Sequence, residues 1–470
     1  MRALGAGAVI LGSPVGALAC GTILAAAGVP TRILEPGEVA GEPYGTLQHP
    51  PYRFDTVPPL LWGLEAGGAL TEALAPLVLP PFKCYEPGLQ VILPRHRLSL
   101  HADPARLERE LTRECGTRAS AVRAFLAELG KLAARFGAAP ALPPPLLPRP
   151  GAPRGSRLRR ELLPWFPPVR GGLEPVEELL VRHRVGEPFA SVVGLLTAFW
   201  FAESPSSCPA LALALLLERL RGGLYLPAGG AQALPETMVG EFFRAGGHLR
   251  TGAPVQALLT RFRRVTAVLT GAGEAVPCSA ALLAQDGHPP LRKASRPAED
   301  GAPLPAPSRP AGALLHFALA EAVLPPVLGP CALAAPGGAG GPLCLLMLAP
   351  PDDHTRAPRG ERALSVLFLP GPGEDGISLA ALPPERLIAR LEPILPGAGR
   401  YTRFAAVGAA PPAPPEAPAA SARLWWVRAI REPLGPVRGC LPLPRTGLFG
   451  RGLLSELCWG RYVAERLLRH

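Results

Sequence analysis

The sequence predicts an α/β fold built on a parallel sheet, and three observations near its start predict it. Ala8 to Leu11 is a short, wholly apolar run of the kind that forms strands buried on both faces. The turn Gly12 to Gly16 is followed by small and apolar residues from Ala17 to Ala27, which read as a helix closed by Gly28. A second apolar run, Thr31 to Leu34, ends on an acid, Glu35. Strand, turn, helix and strand in this order make a βαβ unit.

Composition fits such a fold and excludes others. The 470 residues suffice for roughly two to three domains, and 48% hydrophobic content excludes a wholly disordered chain. The 62 prolines and 53 glycines follow no G-x-y period, so they imply many loops rather than a collagen-like rod. The net charge of +11 would suit an acidic partner. The arginines are spread along the chain without a nucleic-acid-binding pattern, and no nucleic-acid partner is expected. Nine cysteines, an odd number with no C-x-x-C, point to a reduced, cytoplasmic protein without a metal.

Two apolar stretches resemble membrane or targeting segments. Ala3 to Thr31 carries no charge, but Gly12, Pro14 and Gly16 break it in the middle, which favours the βαβ reading over a signal peptide. Ser191 to Ala202, bounded by Glu187 and Glu203, is too short to cross a bilayer about 30 Å thick.

The chemistry lies in the first sixty residues. Glu35 falls 23 residues after Gly12, where a dinucleotide-binding unit places a carboxylate on the adenosine ribose. The glycine fingerprint is altered to Gly12-Ser13-Pro14-Val15-Gly16-Ala17. Ala17 still permits close packing of helix on strand. Pro14 suits a helix start but removes a backbone donor that a pyrophosphate would use. These residues alone leave two readings open, a nucleotide site and a βαβ unit without a ligand.

Further along, Tyr52-Arg53-Phe54-Asp55-Thr56-Val57-Pro58-Pro59-Leu60-Leu61 resembles the YRFD-x-G-P-x-L-L segment of phytoene desaturase-type flavoproteins, within the FAD-dependent amine oxidase superfamily. Val57 stands where that pattern has glycine. Other segments resemble the same family in order: Asp103 to Leu107, Gly223 to Gly230 as a G-x-x-x-P-x-G-G turn, Pro254 to Gln256 with Arg264 to Val268, Ala357 to Gly360, and Gly450 to Arg461. The resemblance implies a Rossmann-like FAD-binding domain assembled from residues 1–105, 222–290 and 432–470. An inserted α+β substrate domain would be formed by residues 106–221 and 291–431. It implies FAD as cofactor, with Gly12, Ser13 and Gly16 at the pyrophosphate, Glu35 on the ribose, Val255 beside the adenine, and Gly450, Gly452 and Leu453 near the flavin ring. The family's A-G-D turn before the last helix is replaced by Leu443-Pro444-Arg445-Thr446, so that Arg445 either pairs with the pyrophosphate and partly offsets Pro14 or marks a site no longer shaped for flavin. The arginine and double glycine usual after the ribose acid are also missing.

Elsewhere the residues predict structure more than chemistry. Asp103 and Pro104 open a helical block running to Phe136. Pro-rich stretches at Leu142 to Pro153 and Ala409 to Ala420 read as connections. Asp352-Asp353-His354 reads as a solvated turn, and no nucleophile elbow or Walker A sequence occurs. Arg154, Arg157, Arg159 and Arg160 beside Trp165 and Phe166 suit a peripheral contact with an anionic membrane at its cytoplasmic face, or equally a solvated loop. Two functions follow. One is hydride transfer between flavin and a hydrophobic polyene or lipid-like substrate. The alternative is a non-redox relative that has lost flavin and binds a lipid or a protein.

Overall fold

The structure is a computed structural model that describes residues 5–42, 44–57, 61–62, 64–65, 71, 74–75, 77–137, 172–201, 203–262, 264–284, 291–293, 312–337, 342–370, 379–408, 439–442, 446–447, 450–451 and 453–469. The opening βαβ unit forms as strand Ala8–Leu11, helix α1 over Val15–Ala26, and strand Thr31–Leu34. The helix starts two residues earlier than its composition predicts. Pro14 takes the N-cap position with φ −58°, and its carbonyl accepts from both Ala17 and Leu18, so proline starts the helix instead of extending the turn.

Five parallel strands make the first sheet, in the order His248–Arg250, Thr31–Leu34, Ala8–Leu11, Ala280–Leu283, Cys440–Pro442. Helices cover it because its central strands are apolar on both faces. On one side α1 packs with helix Ala233–Arg244 and helix Leu453–Leu468. On the other, Val9, Leu11, Leu34, Ala281 and Leu283 pack with Leu258, Val265 and Val268 of the antiparallel strands Val255–Arg261 and Arg264–Thr270.

A second sheet of seven strands runs Thr402–Gly408, Ala313–Ala320, Glu361–Leu369, Leu343–Leu348, Cys331–Ala334, Leu89–Leu93, His96–Leu100. Strands Leu89–Leu93 and His96–Leu100 thus belong to this sheet although they precede residue 105. One face is covered by helices Ala119–Gly137, Phe189–Phe201 and Ala210–Leu220, with Phe125, Phe189 and Leu213 fully buried between them. The block that begins at Asp103 is two helices: Gly116, at φ 53°, ends Pro104–Cys115 before Ala119–Gly137 starts. Asp103 caps the first by accepting from the N–H groups of Ala105 at 2.7 Å and Arg106 at 3.4 Å. A smaller sheet has the order Leu61–Trp62, Leu224–Pro227, Phe82–Tyr85. The Pro-rich stretches, residues 154–166, Arg445 and Gly452 lie outside the described residues.

Candidate flavin site and adjoining cleft

A helix that precedes a parallel strand runs antiparallel to it, so Ala233–Arg244 begins at the carboxyl end of the sheet, where the Gly12 turn and Glu35 also lie. Gly12 has φ 90°, a conformation that favours glycine, and it admits the sharp turn from strand to helix. No side chain caps α1 and no acid occupies its first turn, leaving the positive end of a buried helix facing the turn.

Glu35 is 7% exposed and is held by this turn. Its Oε2 accepts from the Ser13 N–H at 2.7 Å and the Ser13 hydroxyl at 2.6 Å, and its Oε1 accepts from the Gly37 N–H at 2.8 Å. Ser13 Oγ in turn accepts from the Gly41 N–H at 3.1 Å, which fastens the loop after Glu35 to the glycine turn. That loop rests on the start of helix Ala233–Arg244, for a Cβ at Gly41 would lie 2.1 Å from Pro235 Cβ.

Gly16 occupies a different environment from Gly12. A Cβ there would lie 2.5 Å from the Glu456 carbonyl, and one at Gly460 would lie 2.0 Å from the carbonyl of Gly16. These two glycines let α1 and Leu453–Leu468 touch backbone to backbone, so the N-terminal turns of the first and last helices meet. The strand Gly450–Arg451 pairs with Thr446–Gly447 just before the last helix. Val255 is half-buried against the cluster of Val9, Leu11 and Leu34, at the start of its strand pair.

A cleft of about 270 Å³ opens near the start of helix Ala233–Arg244. Three distant segments build its polar end. Asp55 ends strand Tyr52–Asp55, Gly229 and Gly230 turn the chain with φ 83° and 90°, and Arg356 comes from the loop before Glu361–Leu369. Asp55 Oδ1 accepts from the Ala231 N–H at 2.8 Å and from Arg356 Nη2 at 2.8 Å, while Arg356 Nε donates to Asp353 Oδ2 at 3.2 Å. A Cβ at Gly230 would lie 1.6 Å from Arg356 Nη2, so the guanidinium sits where only glycine leaves room. Burial works against the charge of Arg356, and the carboxylates of Asp55 and Asp353 more than offset it, leaving the guanidinium pKa above its usual value. Asp352 and His354 are exposed, as the solvated-turn reading expects, whereas Asp353 is drawn into a partly buried ion network with Arg356. Lys83, in contact with the Asp352 carboxylate, bridges the small sheet and this loop.

The rest of the lining is largely apolar, with Leu226, Pro227, Pro330, Met347, Leu348 and Pro350. Ser365 lies at its edge and bonds His316 Nδ1 at 2.9 Å. Burial, aided by the charge of His49, pushes the His316 pKa down to about 4 and keeps the ring neutral.

The sequence profile of flavin containing amine oxidoreductases matches residues 83–396. The chain belongs to this family. FAD is its cofactor, it is an FAD-dependent oxidoreductase, and the non-redox alternative is not favoured. The fold agrees. An oxidoreductase from Methanosarcina mazei superposes with a TM-score of 0.62 at 12% identity, over 98% of this chain and 100% of that one. Wild-type putrescine oxidase bound to putrescine gives 0.62 at 15% identity over 99% of each chain. Cyclohexylamine oxidase from Brevibacterium oxydans gives 0.60 at 14% identity over 98% of each. No curated protein sequence matches the chain.

The residues present fit the cofactor. The Gly12 and Ser13 N–H groups are taken up by Leu34 and Glu35 and Pro14 has none, so backbone donors for a pyrophosphate come from the uncapped first turn of α1, with Glu35 beside it at the end of the second strand. Asp55, Arg356 and Asp353 were not read from sequence as site residues. The recurring signals at YRFD and at the double glycine point to them, but nothing local marks Arg356 as their partner. Among the described residues no helix is long and apolar enough to cross a membrane.

Proposed function

We propose that this flavoprotein transfers hydride between its FAD and a hydrophobic, polyene or lipid-like substrate. One observation carries the reading: half-buried apolar side chains that line the cleft pack on the same core cluster as two tryptophans. Leu226 and Met347 line the cleft, and with Trp62 and Trp200 they pack on the same core cluster. Leu224 and Leu226 share one face of their strand, where Leu224 pairs with Trp62, and Trp62 meets Trp200 edge to face at 5.8 Å. Such a surface favours an extended apolar body over a small hydrated amine.

Bound FAD supplies the two-electron acceptor or donor. The chain's own part is to hold and orient. The α1 terminus and Glu35 position the dinucleotide, the Asp55–Arg356 pair fixes the cleft wall, and the apolar lining excludes water from the reacting carbon. Desaturation of this kind demands no side-chain acid or base as strictly as hydrolysis does.

Anaerobic titration of the FAD-loaded protein tests the reading. A long acyclic polyene in mild detergent is expected to bleach the oxidised flavin spectrum, whereas putrescine and cyclohexylamine leave it unchanged. Bleaching by the amines alone would overturn the proposal and favour amine oxidation.

A further inference from the structure

We propose that the polar end of the cleft is a hydroxyl-binding site, in which Asp55 and Arg356 together hold a hydroxyl at the end of an otherwise apolar substrate. The inference deepens the reading above and rests on it. Both side chains line the cleft. Asp55 uses Oδ1 for its bonds to Ala231 and Arg356, and Arg356 uses Nη2 and Nε for its bonds to Asp55 and Asp353. Asp55 Oδ2 and Arg356 Nη1 take no part in those bonds. They leave an anionic acceptor and a cationic donor on the two members of one ion pair.

A hydroxyl complements both at once, donating to the carboxylate and accepting from the guanidinium. The charged alternatives each meet a repulsion. A carboxylate would face Asp55 and Asp353, and an ammonium would face the permanently charged Arg356. A purely apolar end would bury the pair's remaining polar atoms without partners. The pair is also preorganised. Gly230 leaves space for the guanidinium, the Ala231 N–H fixes the carboxylate, and the Arg53 N–H donates to the Arg356 carbonyl at 3.0 Å. Leu226, Pro330, Met347 and Leu348 make the apolar part of the same cleft wall.

The test uses four isoprenoids that share one chain and differ at its end: farnesene, farnesol, farnesylamine and farnesoic acid. Their dissociation constants on the FAD-loaded protein are read by calorimetry, together with the perturbation of the flavin spectrum. Farnesol is expected to bind at least about tenfold more tightly than the other three. Asp55→Asn and Arg356→Lys, each checked for FAD content and thermal melting, are expected to remove that preference, so that farnesol binds no more tightly than farnesene. Equal affinity for all four in the wild type would overturn the hydroxyl site and leave the apolar-substrate reading standing. Absence of binding by all four would overturn both. The wild-type comparison decides even where a variant does not fold.

Discussion

Ser13 shows how one side chain can replace what a fingerprint has lost. It donates twice to Glu35 and accepts once from the loop that carries Gly41, so the acid and that loop are fixed relative to the turn. Ser13→Ala removes the hydroxyl but keeps the backbone donor. Its FAD dissociation constant, followed by the fluorescence of released flavin, is expected to rise about tenfold, in line with loss of a hydrogen bond to a charged group. His316 gives a different prediction. Its folded pKa of about 4 lies below the ordinary 6.5, so the unfolded chain binds its proton first as the solution is acidified. Stability from this residue is fully present above about pH 6.5 and is lost as the pH falls to about 4, on the order of 3 kcal/mol in total. Urea midpoints over that window are expected to fall in the wild type and to fall less in His316→Gln.

Among elements, the contact of α1 with the last helix depends on two glycines with no room for a methyl group. Gly460→Ala is expected to destabilise the protein by roughly 1 to 3 kcal/mol through overpacking, read as a lower urea midpoint, and to reduce retained FAD. Such packing also explains what was legible beforehand. The βαβ unit could be read because its signals are local: an apolar run, a turn, small residues and an acid at fixed spacing. Asp103 as a cap was legible for the same reason, whereas the strand pair headed by Val255 was legible only through the family resemblance. The helix start at Val15 was misjudged because Pro14 serves equally in a turn and at an N-cap. The cleft was not legible as a unit, since Asp55 comes from the two-stranded hairpin Thr46–His49 and Tyr52–Asp55, Ala231 from the turn after Leu224–Pro227, and Arg356 from the loop before Glu361–Leu369, segments far apart in the chain. The doublet Asp352-Asp353 has the composition of a solvated turn, which Asp352 keeps, and only a cation three residues on draws Asp353 into a partly buried network.

For the whole molecule, membrane contact is a question of charge and delivery. An apolar substrate is most abundant in a bilayer, and the arginine and aromatic cluster at residues 154–166 has the composition of an interfacial segment. We propose that the protein floats with anionic liposomes at low salt and that Arg154, Arg157, Arg159 and Arg160, all changed to glutamate, abolish flotation. Failure of the wild type to float at low salt would remove the claim, because salt screens this attraction and its absence is the most favourable condition.

The parallel sheet also sets a timetable. Its centre is made from residues 8–34, its flanks from 248–250 and 280–283, and its far edge from 440–442, while the helix that locks against α1 follows only at 453–468. During synthesis the glycine turn therefore leaves the ribosome hundreds of residues before the strand and helix that complete its surroundings. Cofactor capture belongs to the finished chain. Nascent chains stalled before residue 440 are expected to carry no bound flavin, however long they are given.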